Sequence, residues 1–193
     1  MTAPLKLTRA QILAFRRRVG ALDRRLPAGE RSLRQAAWAG IQDSMPRAAL
    51  LSIHARVEGV NSAALEDSSL AQVWGPRYHV YVVAARDHAV FTLGRLPDQG
   101  MIRDRADDLA ARAHDFLGGR KLGYGEVGQA LGTHGNNLRY AALTGTLAIR
   151  WEGARQPTVW TVPAPEIEAP AAARELARRY LRVFGPARPD AFA

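Results

Sequence analysis

The chain has 193 residues and a formal net charge of +9, from 27 Lys plus Arg against 18 Asp plus Glu. With 47% hydrophobic and 23% charged residues it has the makeup of a globular protein, and its length suits one large domain or two small ones. The absence of Cys excludes a disulfide framework, a thiolate metal site and a thiol nucleophile. No stretch approaches the ~18 uncharged apolar residues of a membrane span. Arg16, Arg17 and Arg18 fall where a secretory signal needs apolar residues, so a cytoplasmic protein is expected.

Only Lys6 and Lys121 are lysines, so the positive charge is carried by arginine. Residues 1–60 hold eleven basic and four acidic groups, residues 61–115 six and eight, and residues 116–193 ten and six. Two basic lobes around an acidic middle suit a polyanion touched at two places.

Thr8 is placed to cap a first helix with Ile12, Phe15, Val19 and Leu22 on its buried face, and Leu26-Pro27-Ala28-Gly29 ends it. Ser32 opens a second helix over 33–41. After Asp43-Ser44-Met45-Pro46, with Pro46 in its first turn, a third helix buries Leu50, Ile53 and Val57. Residues 69–74 read as a short helix before Gly75-Pro76, and the β-branched and aromatic run 78–83 reads as a strand.

The second half repeats the order. A helix over 104–117 faces inward through Ala106, Leu109, Ala113 and Phe116; short helices over 125–131 and 135–143 flank Gly132-Thr133. Strands over 146–151 and 158–162 then form a hairpin with a polar tip. Helix, short helix, turn, helix and hairpin is the order of a winged helix. The expected architecture is therefore α+β, with tandem winged helix-turn-helix modules over 1–96 and 97–162. Residues 163–193 form a Pro-rich link and a bridging helix that sets Leu176, Tyr180 and Phe184 inward and Arg174, Arg178 and Arg182 outward.

In a winged helix the last helix of three enters the major groove and the hairpin tip reaches phosphate or minor groove. The expected contacts in the second module are Asn136, Asn137, Arg139 and Tyr140 on the helix, and Arg155 and Gln156 on the wing. In the first module they are Arg16, Arg17, Arg47, Arg56 and Arg77. The five His residues show no metal-ligand spacing, no Gly-rich phosphate loop follows a strand, and no cofactor or metal is expected. At the helix break after Gly40, Gln42 and Asp43 place an amide beside a carboxylate. Asp43 or Ser44 can cap the following helix; alternatively, Gln42 and Asp43 can position water against a sugar carbon, as hydrolysis of an N-glycosidic bond requires.

Three stretches, residues 38–51, 73–87 and 177–193, resemble the winged-helix DNA glycosylases of the AlkZ/YcaQ type and their winged-helix DNA-binding relatives in bacteria. The last stretch, Ala177-Arg178-Arg179-Tyr180-Leu181-Arg182-Val183-Phe184-Gly185-Pro186, is the most distinctive. The resemblance implies tandem winged helices around a basic channel for double-stranded DNA, and removal of alkylated or crosslinked bases without a metal. Members run on into a third winged helix, whose start residues 185–193 resemble. Family enzymes carry Gln, an apolar residue, then Gln or Asp at this break. Aligned on the Asp-x-x-Pro-Arg run, Gln42 fills the second position and Gly40 the first; in a shifted register Gln42 and Asp43 form the pair. Two readings follow: a DNA-binding protein with a degenerate catalytic motif, or an active glycosylase using Gln42 and Asp43. A protein-interaction module on the same fold is a third, and predicts a contiguous exposed apolar patch.

Overall fold

A computed structural model describes residues 6–44, 47–151 and 156–187. Helix α1 (Arg9–Val19) begins where the capping residues require: the Thr8 hydroxyl accepts from the Gln11 N–H at 3.2 Å, and the Gln11 side chain accepts from the Thr8 N–H at 2.9 Å. Its expected buried stripe is corrected. No residue of α1 is buried, and Phe15 stays 48% exposed. The helix is held at the surface by Arg16, whose guanidinium donates to the Phe184 and Gly185 carbonyls at the end of helix α8 (Ala169–Phe184).

Helix α2 (Glu30–Ala36) starts ahead of Ser32 and ends well before Ile41. Gly40, at φ +79°, turns the chain out of helical geometry, and Ile41 enters a two-residue strand β1 (Ile41–Gln42). Helix α3 (Ala48–His54) follows; Ile53 and Val57, three residues beyond its end, are fully buried, Leu50 is half-buried, and the expected role of Pro46 lies outside the described residues.

Residues 69–74 are not a helix. They form strand β2 (Leu70–Trp74), paired antiparallel with β3 (Val80–Ala84) from Leu70↔Ala84 to Trp74↔Val80. A partner strand just across a five-residue turn outweighs local helical preference. Beyond helix α4 (His88–Thr92), α5 (Met101–Leu117) starts three residues earlier than its apolar pattern shows and buries Ala106, Leu109, Ala113 and Leu117. A short strand β4 (Leu122–Gly123) leads into α6 (Tyr124–Ala130). The helix expected over 135–143 is a three-part element: α7 (Leu138–Ala141) with a 3-10 turn at each end. Strands β5 (Leu147–Arg150) and β6 (Thr158–Thr161) close the second half.

All six strands lie in one antiparallel sheet of order β1-β3-β2-β5-β6-β4. The halves repeat one topology: in each, a two-residue strand between helices pairs with the last strand of the following hairpin, β1 with β3 and β4 with β6. Each half has its own core, around Leu33, Ile53 and Val82 in the first and around Leu117, Val127 and Leu138 in the second. Trp74 and Val80 of the first hairpin pack into the second core. The sheets of the two halves join through one register pair, Gln72↔Ile149.

Helix α8 returns across the first half and packs on α4 and the turn Leu93–Arg95. Arg174, Arg178 and Arg182 are exposed as expected, but Arg179 is buried. Its guanidinium pairs with Asp87 at 2.8 Å and Glu175 at 2.7 Å and donates to the Trp38 carbonyl at 3.0 Å. Burial works against the Glu175 charge, but the bonds from Arg179 and Arg178 outweigh it and hold the carboxyl below its ordinary range. Among the described residues, no helix is long and apolar enough to cross a membrane.

Candidate nucleic-acid interface

The turn joining β2 to β3 is closed by two backbone bonds, Gly75 N–H to His79 O at 2.7 Å and Tyr78 N–H to Gly75 O at 3.0 Å. Within it Arg77 (φ +54°) and Tyr78 (φ +58°) both take the left-handed conformation that side chains with a Cβ avoid. Two such residues in succession store strain. The result is that the Tyr78 ring meets the second half of the molecule.

There it joins a ladder of guanidinium and phenol groups. The Tyr78 and Tyr140 rings lie 5.4 Å apart. Arg139 of α7 stacks on both, at 4.4 Å from Tyr78 and 5.1 Å from Tyr140. Arg95 lies 5.3 Å from the Tyr78 ring, and Arg105 of α5 lies 4.3 Å from the Tyr140 ring. A hydrogen bond from Arg139 at 3.4 Å lowers the pKa of the Tyr140 phenol; burial opposes it, and the charges of Arg139 and Arg105 add to the lowering. Burial lowers the Arg95 pKa, and its guanidinium donates to the Trp74 carbonyl at 2.6 Å. None of Arg77, Arg95, Arg105 or Arg139 forms an ion pair among the described residues, and the Arg139 Nε is buried without a partner. Stacked guanidinium groups are held flat and keep N–H edges for oxygen acceptors.

The outer strand β1 lies beyond the same hairpin. Gln42 faces Tyr81 across the β1–β3 ladder and is exposed. Burial raises the Tyr81 pKa, and the nearby charges of Arg77 and Arg95 oppose that rise. Side chains alternate along this segment: Ile41 buried, Gln42 exposed, Asp43 buried, Ser44 exposed. Asp43 therefore points to the opposite side from Gln42. Its Oδ1 accepts from the Ala49 N–H at 3.0 Å, capping α3, and its Oδ2 lies 3.5 Å from the Gln72 Nε2. Burial raises its pKa more than these backbone bonds lower it. Gly40, the other position of the motif, has no room for a side chain: a Cβ there would stand 2.9 Å from the Phe91 ring.

Of the residues expected from sequence, the structure brings Arg139 and Tyr140 together, and Arg77 precedes Tyr78 in the turn that meets them. The others lie elsewhere, Arg16 on the carbonyls at the end of α8. Arg17 pairs with Asp23 at 2.8 Å, and Arg56 is half-buried and donates to the Ser52 carbonyl at 2.7 Å. Arg47 is exposed at φ +67° immediately before α3. The backbone N–H of the exposed Asn136 donates to His134 Nδ1, while the Asn137 side chain donates to Thr133 Oγ1 at 2.6 Å. Gln156 is exposed and lies against Gly125; Arg155 lies outside the described residues. Sequence reasoning missed Tyr78, Arg95 and Arg105. Their ladder forms only when the hairpin of one half meets α5 and α7 of the other, and no local spacing encodes that.

A family model described as DNA glycosylase AlkZ-like matches residues 33–193. Among solved structures, the Streptomyces sahachiroi DNA glycosylase AlkZ matches with a TM-score of 0.73 at 18% identity, over 95% of this chain and 59% of that one. The likeness shows a shared fold, and the chain spans 59% of that relative's length. A search of curated proteins gives no match.

Proposed function

Because the chain belongs to the AlkZ-like DNA glycosylase family, we propose that it is a DNA-repair relative that grips duplex DNA through tandem winged-helix halves. The observation that carries this reading is the arginine–tyrosine ladder, which gathers the Arg95, Arg105 and Arg139 guanidinium groups at the junction of the halves, with Arg77 on the adjoining turn, and none of them in an ion pair among the described residues. Arg77, Arg95, Arg105 and Arg139 offer N–H edges to phosphate oxygens, and the phenol faces keep those edges aimed. Phosphate contact fixes register on the duplex and carries no base information. The exposed Gln42 stands on the neighbouring strand, where it can meet a nucleotide of the held duplex.

The reading takes the catalytic motif as degenerate. The motif expected from the resemblance sets two polar groups side by side to position water against the sugar carbon. Gln42 supplies one; Gly40 supplies none, and the Asp43 carboxylate caps α3 on the other side.

Fluorescence anisotropy with a labelled duplex, titrated across salt, tests the proposal. Affinity falls steeply with salt, and Arg105→Ala or Arg139→Ala flattens the log–log slope by about 0.9 for each phosphate the variant no longer neutralises. A salt-independent affinity, or slopes untouched by these variants, overturns it. Incubation with alkylated or crosslinked duplex tests the degenerate motif. Release of free base that is lost in Gln42→Ala and Asp43→Ala would replace this reading with active glycosylase chemistry.

A further inference from the structure

The sheets of the two halves meet at a narrow join. Strands β2 and β5 share one register pair, Gln72↔Ile149, and a cavity of about 100 Å³ lined in part by Gln72, Ile149, His88 and Trp160 lies alongside it. A six-stranded sheet joined by one residue pair has little backbone bonding to fix the angle between its parts. The Gln72 side chain completes the join. Its Oε1 accepts from the Trp151 N–H at 2.5 Å and its Nε2 lies 3.4 Å from the Trp151 carbonyl, so the amide extends the ladder by acting as a peptide group would. The same Nε2 lies 3.5 Å from Asp43 Oδ2. One amide thus touches the last residue before the β5–β6 connection and the carboxylate that follows Gln42.

We infer that Gln72 is a positioning residue: its amide locks the two halves of the sheet together and sets the strand carrying Gln42 against the end of β5, at Trp151. Only an amide fits the role, because the join needs one acceptor and one donor in a single plane. A carboxylate keeps the acceptor, loses the donor and stands beside Asp43. The charged and titratable groups around it are Asp43 from the segment after β1, His88 from α4 and Arg150 from β5. The consequence for duplex affinity rests on the proposed function; the geometry of the join does not.

The test reads a distance. The chain has no Cys, so spin labels at Glu58→Cys and Ala130→Cys, both exposed and one in each half, report the angle between the halves. The native amide gives one narrow distance distribution, and Gln72→Ala broadens it about twofold as the join samples a second arrangement. Gln72→Glu is broad at about pH 7.5 and narrows towards about pH 5, where its acid form regains a donor; the Asp43 charge assists by raising its pKa. The double-labelled parent, which holds the same Asp43 and His88, changes little over that range. Duplex affinity of Gln72→Ala falls about tenfold, the penalty for an interface no longer preorganised. A narrow distribution in Gln72→Ala, or a Gln72→Glu distribution indifferent to pH, overturns the inference. Broadened distances with unchanged duplex affinity keep the lock and reject its link to DNA contact. If Gln72→Ala fails to fold, the pH response of Gln72→Glu decides alone.

Discussion

Gly40 stands where the resemblance read from the sequence expects an amide, and its backbone leaves no place for one. At φ +79° a side chain is strained, and a Cβ would press on the Phe91 and Tyr81 rings. Gly40→Gln is therefore expected to lower stability by about 1–3 kcal/mol in urea unfolding, with no gain in base release. Asp43 gives a second expectation. Burial raises its pKa above the ordinary aspartate value, so the folded chain holds this proton more tightly than the unfolded chain does. The associated stability is present at acid pH and declines as pH rises through the lifted value. Asp43→Asn keeps an acceptor for the Ala49 N–H and removes that decline; unfolding free energies measured from about pH 3.5 to 7 should shift in favour of the variant as pH rises. A difference that shrinks with pH would show that the carboxylate is stabilised in place.

Helix α8 is tied to the first half by one buried cation. Arg179 stands between Asp87 and Glu175 and bonds the Trp38 carbonyl, two residues before Gly40. Arg179→Ala leaves a buried carboxylate unpaired, which costs about 3 kcal/mol or more, whereas Arg178→Ala at the exposed face of the same helix costs less than about 1 kcal/mol. Thermal unfolding of the two variants checks this, and equal losses would deny the buried pair its role. The outward row of α8, Arg174, Arg178 and Arg182, is legible in the chain, but Phe184, expected inward, is 45% exposed. Arg179 is not legible, because a cation adjoining that row looks solvated until Asp87 is brought to it from 92 residues away. Strand β2 is misread for a related reason. Leu70–Trp74 becomes extended through pairing with β3, so its state is a property of the hairpin. The two-residue strands β1 and β4 are invisible to periodicity because two residues carry no period.

For the whole molecule, the net charge of +9 and the placement of charge predict different things. If duplex affinity came from total charge, removing any three arginines would flatten the salt response alike. The folded chain distributes them unequally. Arg16 is bound to carbonyls, Arg17 and Arg178 face carboxylates, and α8 turns an exposed row away from its packing face. The ladder sets unneutralised guanidinium groups against aromatic faces across the junction of the halves. Replacing Arg174, Arg178 and Arg182 with Ala should therefore leave the slope of log affinity against log salt within about 0.5 of the parent. Replacing Arg77, Arg105 and Arg139, the same change in net charge, should flatten it by about 2–3. Equal slopes in the two triple variants would mean that charge acts without regard to where the fold puts it, and the ladder would lose its standing as the gripping surface.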